Sequence, residues 1–277
     1  MEENLLVKIE KATNYLKAVT NNFEPSLGII LGSGLGSLAE DIDAQYTIPY
    51  STIPYFPVST VEGHAGNLIF GTLSGKKVVA MQGRFHFYEG YSMKEVTFPV
   101  RVMKYLGIKA LIVSNASGGV NPKFHIGDIM LINDHINLFP EHPLHGKNYD
   151  QLGPRFPEMG EAYNKDFIKL MHQIAEEQGI TLQEGVYVGM QGPTFETPAE
   201  YGMIRFLGGD AVGMSTIPEV IVARHMNIPV LAISVITDLG GPDIEYKVSH
   251  EEVLKAAANA EPIVRKLVAK FVEKVQL

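Results

Sequence analysis

The sequence predicts a single α/β domain over residues 1–277, with a mixed, largely parallel central β-sheet flanked by helices. Three observations predict it. Short apolar and β-branched runs recur along the chain, helical patterns fall between several of them, and small polar or glycine-rich stretches follow them closely. In sheets of this kind ligands bind at the carboxyl ends of strands. With 277 residues, 45% of them hydrophobic, the chain has material for a sizeable core. No low-complexity linker, charge block or internal repeat divides it.

The elements follow in order. Residues 4–20 place Leu5, Leu6, Ile9, Ala12, Leu16 and Val19 on one helical face. The runs Leu27–Leu31, Leu68–Phe70, Val78–Met81, Ala110–Val113, Ile129–Ile132, Val186–Val188 and Val230–Ile236 read as buried strands. Helical patterns lie at about 94–106, 164–178, 197–207 and 217–226, and a long amphipathic helix spans about 249–275. Ser249 caps that helix, with Glu252 three residues on completing a capping box.

Composition excludes several classes. A net charge of −8 disfavours a nucleic-acid binder, so an anionic substrate needs a local positive site. The absence of cysteine rules out disulfides, thiol catalysis and zinc-thiolate or iron–sulfur sites. No signal-peptide pattern and no 18-residue apolar run are seen, so a cytoplasmic protein without membrane contact is expected. No metal site is expected either: His142 and His145 in "EHPLH" stand without a cysteine or an HExxH pattern.

The chemistry is carried by loops after strands. "LGIILGSGLGSLAE", residues 27–40, spaces Gly32, Gly34 and Gly36 as G-x-G-x-G, with Ser37 where a dinucleotide fingerprint has its third glycine. No acidic residue follows about 20 positions on, after a second strand, and no lysine completes a Walker loop. This speaks against an NAD(P)-linked oxidoreductase and leaves either a tight turn or an anion nest with Ser33 as hydroxyl donor. "QGRFHFYEG" puts Arg84 and His86 two apart, on one side of an extended segment, where guanidinium and imidazole converge as an oxyanion clamp; a surface arginine and a packed histidine are the plainer alternative. "VSNASGGVNP" offers Asn115 and backbone N–H groups, or simply a turn, and "VEGHAG" brings His64 on a loop. "GMQGPTFETPAEY" sets Phe195 beside Glu196, a ring face and a carboxylate suited to a flat heterocycle, or else a helix-start carboxylate. "AVGMSTIPEV" reads as a strand ending at Met214 and Ser215, and "VITDLGGPD" ends the most apolar strand at Thr237 and Asp238. "VSHEEV" carries His250 at a helix start.

Taken together, ILGSGLG, STVEGHAG, QGRFHFYEGY, SNASGGVNPKF, GDIMLINDHINL, GPRFP, GPTFETPAE, VGMSTIPE and SHEEV resemble the trimeric, low-molecular-mass purine nucleoside phosphorylases over nearly the whole chain. The resemblance implies the nucleoside phosphorylase fold and reversible phosphorolysis of a purine (deoxy)ribonucleoside to free base and (deoxy)ribose 1-phosphate. It also implies a homotrimer, inorganic phosphate as co-substrate and no cofactor. It puts phosphate binding on Ser33, His64, Arg84, His86, the Ala116 backbone and Ser215, and the base on Phe195, Glu196, Val212, Met214, Thr237 and Asp238. The sugar falls to Tyr88, Met214 and His250, with Phe156 of GPRFP supplied by a neighbouring subunit, and His86, Glu196 and Asp238 are the implied catalytic residues.

One departure bears on substrate. Members of the family specific for 6-oxopurines carry asparagine where this chain has Asp238, so base choice is expected to extend from inosine and guanosine to adenosine. Smaller departures are Ser117 for a common alanine and His145 for a common arginine. A 5′-methylthioadenosine phosphorylase is the nearest rival, but TDLGG lacks its second aspartate and following aromatic. A non-catalytic nucleoside-binding protein would be expected to lose Arg84 or His86, and both are present.

Overall fold

The computed structural model describes residues 4–58, 65–241 and 249–277. Helix α1 (Leu5–Val19) opens the chain, capped by the Asn4 side chain on the Leu6 N–H, and it buries Ile9, Ala12, Thr13 and Leu16. Val19, at the end of the expected apolar face, is exposed. Strand β1 (Leu27–Leu31) coincides with its apolar run and is buried at every position, as a strand covered on both faces must be.

Strand β2 (Asp43–Pro49) has no counterpart among the expected strands. It is an edge strand whose residues are mostly exposed, so it lacks the apolar run by which the others are read. Strands β3 (Asn67–Leu73) and β4 (Lys76–Gln82) form a hairpin. Its two-residue turn is Ser74-Gly75, both with positive φ, the hairpin geometry that matches strand twist. Two short helices, α2 (Met93–Val96) and α3 (Phe98–Leu106), occupy the expected 94–106 region. Strands β5 (Ala110–Gly119), β6 (Ile129–Asn137), β7 (Gln183–Gly189) and β9 (Val230–Leu239) all extend past their apolar runs. Strand β8 is only Ala211–Gly213. Helices α4 (Lys165–Glu177), α5 (Pro198–Phe206), α6 (Ile217–His225) and α7 (His250–Lys274) lie where the periodicity puts them. The Ser249 side chain accepts the Glu252 N–H at the start of α7.

Among the described residues, nine strands form one sheet in the order β2-β3-β4-β1-β5-β8-β7-β6-β9. The sheet is mixed, which corrects the expectation of a largely parallel one. The pairs β1–β4, β1–β5, β5–β9, β6–β7 and β7–β8 are parallel. The pairs β2–β3, β3–β4, β5–β8 and β6–β9 are antiparallel. A two-residue turn can join only antiparallel strands, which fixes the β3–β4 pair.

Strand β5 organises the rest. Its first residues pair with β1, its whole length pairs with β9, and Gly118 and Gly119 turn to pair with β8. Because β9 also pairs with β6, the strands β5-β8-β7-β6-β9 close on themselves beside the open part of the sheet. A closed ring of strands must tilt, so their ends splay and leave a mouth. The main core runs through the sheet and its helices, and a satellite cluster of Val120, Val188, Tyr201, Ile204 and Val212 lies beside β5, β7 and β8.

Candidate active site

A cavity of about 390 Å³ opens at that mouth, within the size range of small-ligand sites. Its wall comes from chain past the carboxyl ends of β1, β4 and β7, from the end of β8 and the residues after it, and from the carboxyl-end halves of β5 and β9, with the start of α7 closing one side. Of the residues singled out in the sequence, Ser33, Arg84, His86, Tyr88, Ala116, Phe195, Glu196, Val212, Met214, Ser215, Thr237, Asp238 and His250 all line it. His64 lies outside the described residues. Phe156 does not reach this cavity: it is 88% exposed, with the Arg155 guanidinium over its ring, and it lines a separate hollow with His142, His145 and Ile221.

One end of the cavity is built on a buried arginine and is tightly hydrogen-bonded. Arg84 is buried. Its Nε donates to Glu219 Oε1 at 3.0 Å, and its Nη1 donates to the Ser114 carbonyl at 2.7 Å and to Ser215 Oγ at 3.1 Å. Glu219 sits in the first turn of α6, where the helix dipole favours a carboxylate. His86 is also buried, its ring stacked on Tyr88 at 4.7 Å with Nδ1 at 3.0 Å from Glu89 Oε1. Burial lowers the His86 pKa from its ordinary value, against the pull of Glu89. The neutral ring that results donates Nδ1–H to Glu89, which makes Nε2 an acceptor. Desolvation pushes the Tyr88 hydroxyl up to about 12.

The turn that delivers Ser215 is strained. Thr216 has φ +71° and ψ −56°, and the Ile217 N–H reaches the Ser215 carbonyl at 2.8 Å. This is the rarer hand of γ-turn, and a β-branched residue there is an outlier costing on the order of 1–3 kcal/mol.

The other end is acidic. Asp238 is buried, and Thr237 Oγ1 donates to its Oδ1 at 2.9 Å. Desolvation raises its pKa, with Thr237 and Tyr201 opposing. Burial lifts Glu196 to about 7, helped by the charge of Asp238. Glu196 precedes the α5 capping box, in which Thr197 and Glu200 satisfy the helix start. It is therefore left to face the cavity rather than to cap the helix. Phe195 beside it is 40% exposed.

Glycines set the walls. A Cβ on Gly118 would come within 2.9 Å of Asp238 Oδ2, and one on Gly32 within 2.5 Å of the Ser114 carbonyl. Gly34, with φ +71°, packs against Ala257, whereas nothing lies within 4 Å of a Cβ on Gly36. Only part of the glycine loop thus faces the cavity. Ser33 lines the cavity, while the Ser37 N–H is taken by Glu261 Oε1 at 2.8 Å on the far side.

Two functional candidates escaped the sequence. Glu219 was hidden in an apolar stretch, "STIPEV", that reads as core. Tyr201 sits on the buried side of α5, its ring against Gly240 and its hydroxyl near the carboxyls of Glu196 and Asp238, whose charges help hold its pKa high after burial. A tyrosine five residues after Glu196 was the available signal.

The phosphorylase superfamily model matches residues 26–273. Purine nucleoside phosphorylase 1 of Geobacillus stearothermophilus is 56% identical over 247 residues, covering 89% of this chain and 90% of that protein. Purine nucleoside phosphorylase of Schistosoma mansoni, solved in complex with adenosine, superimposes with a TM-score of 0.93 at 46% identity over 98% of both chains. The same protein solved with inosine gives the same TM-score and identity. Matched along nearly its whole length by sequence and by fold, the chain belongs to the phosphorylase superfamily and, within it, to the purine nucleoside phosphorylases.

Proposed function

We propose that this pentosyltransferase cleaves purine (deoxy)ribonucleosides with inorganic phosphate, reversibly, giving free base and (deoxy)ribose 1-phosphate, and that its base slot takes 6-amino as well as 6-oxo purines. The observation that carries the reading is the polarity of the cavity, a buried arginine at one end and two carboxyls of raised pKa at the other.

Phosphate sits against Ser33, Arg84, His86, the Ala116 backbone and Ser215, and the family resemblance adds His64 to this set. Arg84 and the hydroxyls aim an oxygen at C1′ of the sugar, which Tyr88, Met214 and His250 hold. The glycosidic bond breaks with an oxocarbenium-like sugar, and the bonding electrons leave with the purine. Asp238, protonated in its buried setting, donates to N7 and neutralises the leaving base. Glu196 selects the ring edge with Phe195, Val212 and Thr237 around it. As a carboxylate it accepts N1–H of a 6-oxopurine; as an acid it donates to N1 of a 6-aminopurine, whose amino group Asp238 accepts. Adenosine and inosine in the Schistosoma mansoni structures support a family fold that accommodates both bases. Every step is assigned to groups of the protein and calls for no cofactor or metal.

The exposed Phe156 supports a homotrimer in which this ring covers a neighbour's sugar site, because a large exposed aromatic beside a hollow suits a heterologous contact that closes into a ring. We read the chain as one domain acting in the cytoplasm; no helix among the described residues is long and apolar enough to cross a membrane. The deciding assay is base release from inosine with and without phosphate. Release that ignores phosphate overturns the reading, and an active monomer by light scattering overturns the trimer.

A further inference from the structure

Ser117, Ser234, Asn115 and Thr216 are all buried, and together they form an unbroken hydrogen-bonded chain that ends at Ser215. The hydroxyls of Ser117 and Ser234 are 2.6 Å apart, and Ser234 Oγ donates to Asn115 Oδ1 at 2.6 Å. Asn115 Nδ2 donates to Thr216 Oγ1 at 2.8 Å, and Thr216 Oγ1 lies 3.1 Å from Ser215 Oγ.

Valence gives this chain a direction. An amide oxygen only accepts, so the Ser234 proton is committed to Asn115 and Ser234 must take its own bond from Ser117. An amide nitrogen only donates, so Thr216 accepts from Asn115, and its own proton is then available to Ser215 Oγ, 3.1 Å away. The Arg84 guanidinium, also a pure donor, reaches Ser215 Oγ at 3.1 Å. With both of these donating, Ser215 receives from two sides, and its own proton has two places to go: the Tyr187 hydroxyl, whose oxygen also accepts the Ser215 N–H at 3.4 Å, and a ligand in the cavity that Ser215 lines. The strained γ-turn at Thr216 makes this possible, because it brings two successive hydroxyls side by side.

We propose that Thr216 is a positioning residue for phosphate: through Ser117, Ser234 and Asn115 it holds Ser215 as a hydrogen-bond donor aimed at the phosphate subsite. This rests on the reading of Ser215 as a phosphate contact.

A double-mutant cycle tests it, with KM for phosphate, KM for inosine and kcat measured for the wild type, Ser215→Ala, Thr216→Val and the double variant. Losing one neutral hydrogen bond should raise the phosphate KM about fivefold in each single variant while the inosine KM stays within about twofold. The double variant should be no worse than Ser215→Ala alone, because Thr216 acts only through Ser215. Thr216→Ser should restore the wild-type phosphate KM. Full additivity, or a Thr216→Val variant with unchanged phosphate KM, overturns the relay. An unchanged phosphate KM in Ser215→Ala overturns instead the placement of phosphate at Ser215. If thermal unfolding shows Thr216→Val to be poorly folded, Ser234→Ala takes its place in the cycle with a smaller expected rise, about twofold, again absent in the Ser215→Ala background; a rise that persists there overturns the relay equally.

Discussion

The two ends of the cavity are built on opposite plans. At the Arg84 end nearly every polar atom is held by another at ordinary hydrogen-bond distance, from Glu219 through Ser215 to Asn115, and all of these residues are buried. At the Glu196 end the groups are fewer and wetter. Phe195 is 40% exposed, and two carboxyls sit close enough for one to raise the other's pKa. The difference teaches where a site can change. A network in which each member holds several others tolerates few substitutions, so the Arg84 end is constrained. A carboxyl raised to about 7, as Glu196 is, exchanges acceptor for donor with a single proton, so the Glu196 end is adjustable.

The comparison breaks most visibly at Arg84. We expect Arg84→Ala to lower kcat/KM for phosphate by roughly two orders of magnitude, as loss of a charge-assisted contact does, while the inosine KM barely moves. It should also destabilise the fold by about 3 kcal/mol, because Glu219 is left buried and unpaired. Steady-state kinetics and thermal unfolding check both, and a normal phosphate dependence would place the anion elsewhere.

At the adjustable end, Asp238→Asn should cut the adenosine-to-inosine ratio of kcat/KM by about tenfold, the worth of one good hydrogen bond to the 6-amino group. If the wild type ignores adenosine as completely as the variant does, Asp238 does not select the base. A smaller, graded effect sharpens the comparison. Because Glu196 titrates near 7, the adenosine-to-inosine ratio should fall severalfold between pH 6 and pH 8, the acid donating to N1 of adenine and the carboxylate accepting from hypoxanthine. A ratio flat across that window would remove Glu196 from base choice.

The smallest expected effect is on stability. Asp238 and Glu196 bind protons more tightly folded than unfolded, so stability is full below their ordinary carboxyl values and falls as pH rises toward the folded ones, about 7 for Glu196. Asp238→Asn removes one of these penalties. Its melting temperature relative to wild type should therefore be a few degrees higher at pH 8 than at pH 5; an equal difference at both would mean that Asp238 is not held protonated.

Much of the fold was legible because it is written in apolar runs. β1 is five consecutive buried residues between polar neighbours, and it was read to the residue. β2 was missed because an exposed edge strand needs no such run. The carboxyl-end tail of β5 was missed for a related reason. Residues 114–119 are small or polar, their strand geometry being imposed by pairing with residues 233–239 of β9, and tertiary context overrides propensity there. That tail and the end of β9 line the cavity, so the least strand-like residues of two strands carry much of its polar lining. Ser33, Arg84, His86, Glu196 and Asp238 were legible as a set by resemblance and only weakly one at a time. Glu219 was not, because a buried carboxylate inside an apolar helix announces itself only once its arginine is seen beside it.

The ion pair between Arg84 and Glu219 also determines how an anion comes and goes. A cation matched by a carboxylate 3.0 Å away presents a dipole rather than a net charge, and the attraction of a dipole dies off within a few ångströms. The protein as a whole, at −8, repels anions. Encounter is therefore neither accelerated by long-range steering nor slowed much by added salt. Recognition happens at contact, donor by donor, and a sugar phosphate departs by the same short-range steps through which phosphate arrives, which suits a catalyst that must let go of its product as readily as it takes hold of its substrate.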